Sequence, residues 1–241
     1  MSGHSKWNNI KHKKEKSDAA KAKIFTKIGK EMAVAIKAGG PDPNNNSRLR
    51  DLIAKARANN VPNDNIQRTI KKFSEDSTAD FVEIVYEGYG PSGVAIIVET
   101  STDNRNRTAG NVRAWFNKYG GNMGQNGCVG YLFEEKGVIT IIDEDEEIDE
   151  DKIMEDALEC GAEDIVGDEG EYTIYTASDD LDSVRDAIIS LGYKIDTADL
   201  AKVPSTYVEL TNPEDVENME KMLDKFNEDD DVNAVYHNWD N

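Results

Sequence analysis

The hydrophobic period of this chain changes once, near residues 74–80, and the change divides what its two parts can fold into. Before it, apolar residues recur every three or four positions; beyond it, they alternate. A period near 3.6 belongs to an amphipathic helix, and a period of two belongs to a strand with one buried face. A helical N-terminal segment followed by a sheet-rich body is therefore expected.

In the first part, Ser17 can cap a helix through Ala19–Ala38, with Ile24, Phe25, Ile28, Met32, Ala35 and Ile36 on one face. Gly39-Gly40-Pro41 ends it. A second helix starts near Ser47 with Leu49, Leu52, Ile53 and Ala56 inward, and Val61-Pro62-Asn63 breaks the chain again. A third carries Ile66, Ile70 and Phe73 inward, and Arg68, Lys71 and Lys72 outward. Helices this short are marginal alone in water, so the three are expected to pack together as a domain over 1–78.

In the second part the strand-like runs are Phe81–Glu87, Val94–Thr100, Gly127–Glu134, Gly137–Ile142, Asp164–Val166, Tyr172–Thr176, Ile195–Val203, Ser205–Leu210 and Val232–His237. Helical patterns cover Arg105–Tyr119, Asp151–Cys160, Leu181–Leu191 and Pro213–Phe226. The stretch 136–203 reads β-α-β-β-α-β, a complete ferredoxin-like unit. The flanking pieces, 79–135 plus 204–241, give the same order when joined, with Phe81–Glu87 added as an extra hairpin strand. The fold class expected is thus multidomain α and α+β: a three-helix domain, then two ferredoxin-like α/β domains, one inserted in the other.

Charge follows the same division. Residues 1–72 hold 17 Lys+Arg against 6 Asp+Glu, whereas residues 73–241 hold 11 against 42. Such asymmetry points to a polyanion-binding module joined to a body that stays off the polyanion. Lys16, Lys23, Lys27, Lys30 and Lys37 fall on one face of the first helix, opposite its apolar stripe. A solvated face normally mixes signs; like charges in a row repel, a cost that an anionic partner offsets. On this reading, reversing Lys23, Lys27 and Lys30 to Glu abolishes binding and leaves the fold intact.

Ahead of that helix runs a basic tail of Lys6, Trp7, Asn8, Asn9, Lys11, His12, Lys13 and Lys14. Lysines neutralise phosphate, amides hydrogen-bond bases or phosphates, and an indole either stacks on a base or tucks against the bundle. In the acidic body, Arg105, Arg107 and Arg113 concentrate positive charge and either extend the binding surface or pair with acids. No recognition helix is poised for base readout, so modest sequence specificity is expected.

Other chemistry finds little support. Gly88-Tyr89-Gly90-Pro91-Ser92-Gly93 matches a dinucleotide fingerprint by letter, but a strand follows it where a helix is required. The acidic run Asp143–Asp151 lacks calcium-loop spacing. The three histidines (His4, His12 and His237) and the two cysteines (Cys128 and Cys160) form no metal or nucleophile–base pattern. No catalytic residue, metal ligand or cofactor is assigned. No apolar run approaches the length of a membrane span, so no membrane partner and a cytoplasmic location are expected.

Several stretches carry a family likeness: Ser2-Gly3-His4-Ser5-Lys6-Trp7-Asn8-Asn9-Ile10-Lys11-His12-Lys13-Lys14, Asp18-Ala19-Ala20-Lys21, Phe25-Thr26-Lys27, Asn59-Asn60-Val61-Pro62 and Tyr86-Glu87-Gly88-Tyr89-Gly90-Pro91. With them the chain closely resembles the YebC/PmpR family over essentially its full length. A mitochondrial relative of that family is the translational activator of cytochrome c oxidase. The resemblance implies a cytoplasmic protein with an α-helical and two α/β domains. It implies a non-enzymatic regulator, a DNA-binding transcriptional regulator or, as the alternative, a ribosome-associated translation factor that binds ribosomal RNA. The acidic domains are candidates for docking a protein partner.

Overall fold

A computed structural model describes residues 18–74, 80–143, 148–168 and 170–240. These residues form two compact units: 18–130 with 210–237, and 131–209 with 238–240.

The first unit begins with three helices, α1 (Asp18–Gly39), α2 (Ser47–Ala58) and α3 (Asn63–Ser74). Their apolar stripes meet in one core that includes Ile28, Met32, Ile36, Leu49, Ile53 and Ile66, with Ile24, Phe25, Ile70 and Phe73 at its margin. The α1–α2 turn is held by Asn46, which is buried. Its side-chain oxygen accepts from Leu49 N at 3.0 Å, while its Nδ2 donates to Ala35 O and Gly40 O, both at 2.8 Å. One amide thus caps α2 and satisfies the carbonyl end of α1.

The same unit holds a four-stranded antiparallel sheet in the order β3-β1-β2-β9, from β1 (Val82–Tyr89), β2 (Ala95–Thr102), β3 (Asn122–Met123) and β9 (Val232–His237). The glycine-rich stretch at 88–93 ends β1 and turns the β1–β2 hairpin, which is closed by Gly90 N to Val94 O at 2.7 Å. Helices α4 (Arg105–Lys118) and α7 (Pro213–Glu228) bury Val112, Phe116, Met219 and Phe226; the Phe116 and Phe226 rings lie 5.2 Å apart. Gly88 is required where β1 passes this layer, since a Cβ there would meet Asn122 O at 2.6 Å and the Phe116 ring at 2.9 Å.

The expected hairpin strand at Phe81–Glu87 is present as β1, which pairs along its whole length with β2 and lies inside the sheet, so the connectivity reads β-β-α-β-α-β. One expectation about this sheet is corrected. Of the expected strand Gly127–Glu134 only Phe133 and Glu134 are extended, as the start of the strand Phe133–Ile142; Glu87 draws the residues before them into a loop. The buried Glu87 carboxylate accepts from Gly127 N, Val129 N and Gly130 N at 2.7–2.8 Å. Burial works against the charge, but these three amides hold the carboxyl below its ordinary range. Strand pairing of 127–130 would forfeit all three bonds.

In the second unit, β4 (Phe133–Ile142), α5 (Glu150–Glu159), β5 (Asp164–Asp168), β6 (Glu171–Ala177), α6 (Leu181–Ser190) and β7 (Thr197–Pro204) give an antiparallel sheet ordered β5-β6-β4-β7. Ile139, Ile141, Ile153, Ile174, Val184 and Ile188 form its core. β4 runs unbroken through Glu135-Lys136-Gly137, because Gly137 pairs with both Thr176 and Leu200. The expected strand at Ser205–Leu210 shortens to β8 (Val208–Glu209), parallel to β10 (Trp239–Asp240) in a separate two-stranded sheet.

Candidate nucleic-acid interface

Three lysines of the α1 face reach acceptors contributed by α7 and the residues just after it. Lys27 Nζ donates to Asn227 O at 3.0 Å and Lys23 Nζ to Glu228 O at 3.3 Å, both at the carbonyl end of α7. Lys30 Nζ reaches Asp230 O at 2.8 Å and Asp231 Oδ1 at 2.6 Å. Helix α7 ends there with carbonyls pointing outward and the negative end of its dipole beside them, so it attracts ammonium groups. These three residues of the expected polyanion-facing stripe thus have acceptors on the body: backbone carbonyls for Lys23 and Lys27, and a carbonyl with a carboxylate for Lys30. Lys37 pairs with Asp80, but both side chains are mostly exposed, and such a pair contributes little. Lys6, Trp7, Asn8, Asn9, Lys11, His12, Lys13, Lys14 and Lys16 lie outside the described residues.

Asp231 is the centre of this contact, with only 4 % of its side chain exposed. Besides Lys30 it accepts from Arg107 Nη2 at 2.7 Å, Thr108 Oγ1 at 2.8 Å and Thr102 Oγ1 at 3.1 Å. Burial alone would raise its pKa; the bonds from Lys30, Arg107 and Thr108 prevail and hold it at about 2. Arg107 completes the group through Asp103 at 2.9 Å. This cluster ties α1, the end of β2, the start of α4 and the start of β9 together.

Arg107 is thereby an internal partner, and the three body arginines separate into two classes. Arg105 and Arg113, two turns apart on α4, are exposed and form no ion pair among the described residues. Both lie near enough to the Tyr86 phenol to pull its pKa down, against burial and Asp231, which raise it. Helix α4 contains no acidic residue, so its outward side is a cationic island on an acidic body. No group of three or more His, Cys, Asp or Glu side chains able to hold a metal ion occurs among the described residues.

Two family models match, and together they cover nearly the whole chain. The "TACO1/YebC protein N-terminal domain" matches residues 5–76, and the "TACO1/YebC second and third domain" matches residues 81–239. The chain belongs to the TACO1/YebC family. A relative from Agathobacter rectalis is 53% identical over 241 residues, covering 100% of both chains; one from Clostridium botulinum (strain Eklund 17B / Type B) is 54% identical over 99% of this chain and 96% of its own. Both are named "Probable transcriptional regulatory protein". A crystal structure of a conserved hypothetical protein, Aq1575 from Aquifex aeolicus, superposes with a TM-score of 0.84 at 43% identity, covering 95% of this chain and 94% of that one. The relatives' names describe a regulator at the level of the family, and the chain shares the family's α/β architecture. No helix among the described residues is long and apolar enough to cross a membrane.

Sequence reasoning missed the Asp231 cluster, because Lys30 and Asp231 stand 201 positions apart and no periodicity links them. It placed Arg68, Lys71 and Lys72 outward on α3 without assigning them to the site, and it left aside Arg50 and Arg57 of α2. Arg50, Arg57, Arg68, Lys71 and Lys72 are all exposed, and their spacing alone could have shown this.

Proposed function

We propose that this TACO1/YebC protein is a non-enzymatic, cytoplasmic DNA-binding transcriptional regulator that grips phosphates through its basic N-terminal segment. The observation that carries the reading is the segregation of charge: 17 cations against 6 acids before residue 73, and 11 against 42 beyond it. Phosphate contacts dominate nucleic-acid affinity, and a net −31 body resists non-specific wrapping of the polymer. The tail from Lys6 to Lys16 supplies cations, amides and the Trp7 indole, and Lys37 can exchange its exposed acid for phosphate. Lys23, Lys27 and Lys30 keep their acceptors on the body. Arg105 and Arg113 offer a secondary contact on α4.

The domain reading that accompanies this function is 1–78 as the basic helical module, 79–135 plus 204–241 as a discontinuous α/β module, and 136–203 as its insert. The acidic modules remain candidates to dock a protein partner. Crosslinking in cells, followed by sequencing of the retained nucleic acid, tests the reading. Promoter DNA is expected. Recovery of ribosomal RNA in its place would transfer the reading to a ribosome-bound translation factor, and recovery of no nucleic acid would overturn both.

A further inference from the structure

With Lys23, Lys27 and Lys30 of α1 engaged by α7 and Asp231, the other cations of the helical module are the ones left to meet a polyanion. We infer that the outward faces of α2 and α3 form a binding surface for the sugar-phosphate backbone of a nucleic acid, with Arg50, Arg57, Arg68, Lys71 and Lys72 as its contacts. The inference rests on the nucleic-acid reading above and says where on the module the polymer lies.

The two helices turn their apolar sides to a common core, with Leu49, Leu52, Ile53, Ala56 and Ile66 buried, so their opposite sides face solvent. On α2, Arg50 and Arg57 stand seven positions apart, about 10 Å along the axis and within about 20° of one direction. Only Ala54 separates them on that face, and it is exposed and too small to obstruct a backbone. Arg57 Nε donates to Asn63 Oδ1 at 3.3 Å, so its side chain spans the turn to the first residue of α3. The α2 surface thereby continues into α3 across Asn59-Asn60-Val61-Pro62.

On α3, Arg68, Lys71 and Lys72 are exposed and stand at i, i+3 and i+4. Like charges at those spacings repel by a few tenths of a kcal/mol per pair on a bare helix. Exposed Asp64 stands one turn before Arg68 on this face, but from Arg68 to Lys72 no acid separates the three cations. The dipole at the end of a helix favours Lys71, Lys72 and Arg57, which sit in last turns. It does not account for Arg50 or Arg68, which sit outside those turns.

The other cations of α2 show the contrast. Arg48 pairs with Glu83, and Lys55 reaches Glu31 at 3.3 Å. Arg50 has only a loose approach to Asp51 at 3.8 Å, with both side chains exposed. Arg68, Lys71 and Lys72 form no ion pair among the described residues. A fold that matches the cations turned toward its own body leaves those on this face open. A sugar-phosphate backbone supplies a row of charges for them, and guanidinium forks suit phosphate oxygens.

The test uses the full chain carrying Arg50→Gln, Arg57→Gln and Arg68→Gln together, with Lys225→Gln as a control on exposed α7. Affinity for a labelled 30-base-pair duplex DNA and a labelled 30-nucleotide single-stranded RNA is measured from 50 to 200 mM salt. Thermal unfolding monitored by circular dichroism verifies that each variant folds. Loss of three phosphate contacts should flatten the slope of log K against log salt by about 2.7 on duplex or about 2.1 on single strands. Over that salt range the duplex figure corresponds to about 40-fold less salt sensitivity. Whichever polymer shows the loss is the source of the backbone. A folded triple variant that keeps the wild-type slope on both polymers would overturn the inference while leaving the nucleic-acid reading standing. Failure of the wild-type protein to bind either polymer at 50 mM salt would overturn that reading and the inference with it.

Discussion

Replacing Asp231 with Asn keeps the shape of the side chain and removes the charge on which four donors converge. Lys30, at 2.6 Å and 15 % exposed, loses its counter-ion, and Arg107 retains only the exposed Asp103. The amide NH2 must also face either Lys30 or the group of Arg107, Thr102 and Thr108, all of which donate. Breaking a buried pair costs about 3–5 kcal/mol. Two features reduce that here: Lys30 keeps the Asp230 carbonyl, and nearly half of the Arg107 side chain is exposed. An expected loss of about 2–3 kcal/mol at pH 7 follows.

The carboxyl pKa leads to a similar figure. A fall from 3.8 to about 2 corresponds to roughly 2 kcal/mol of stabilisation. Because the folded pKa lies below the unfolded one, this contribution is complete above pH 3.8 and disappears as pH falls toward 2. Urea unfolding of wild type and Asp231→Asn at a series of pH values is the assay. The gap should be about 2–3 kcal/mol at pH 7 and should narrow steadily below pH 4. A gap under about 0.5 kcal/mol at neutral pH, or one that persists unchanged to pH 2, would refute the assignment of Asp231 as an ionised hub.

Charge reversal at Lys23, Lys27 and Lys30 should lower the melting temperature by several degrees, since Lys30→Glu sets a carboxylate against Asp231; an unchanged melting curve would contradict the α7 contact. Asn46→Ala should cost about 1–2 kcal/mol in urea unfolding through the lost α2 cap and the stranded Ala35 and Gly40 carbonyls. Glu87→Gln should speed amide hydrogen exchange at Gly127, Val129 and Gly130 and raise the rate at which Cys128 reacts with a thiol reagent; unchanged protection would show that the loop holds itself.

The helices of the N-terminal segment were legible because their apolar stripes and breakers agree: Ala19–Ala38 became Asp18–Gly39, and Ser47 opens α2 as its pattern indicates. Local rules suffice where the partners of a residue lie within a turn or two. They fail where a distant polar group decides. Gly127–Glu134 alternates like a strand, yet a carboxylate 40 positions from Gly127 holds its first residues in a loop and leaves only Phe133 and Glu134 extended. Lys27 and Lys30 look like solvated residues until α7 and Asp231 arrive from about 200 positions on. The charge of a segment is visible in its composition, but which of its cations remain open depends on the acceptors the fold brings to them.

Lysine reactivity, read by acetylation and mass spectrometry with and without nucleic acid, tests the division of labour among these cations most directly. Lys71 and Lys72 should react readily in the free protein and become protected when duplex DNA or RNA is added, whereas Lys30 should react slowly in both states. Protection that appears at Lys23, Lys27 and Lys30 while Lys71 and Lys72 stay reactive would contradict the account.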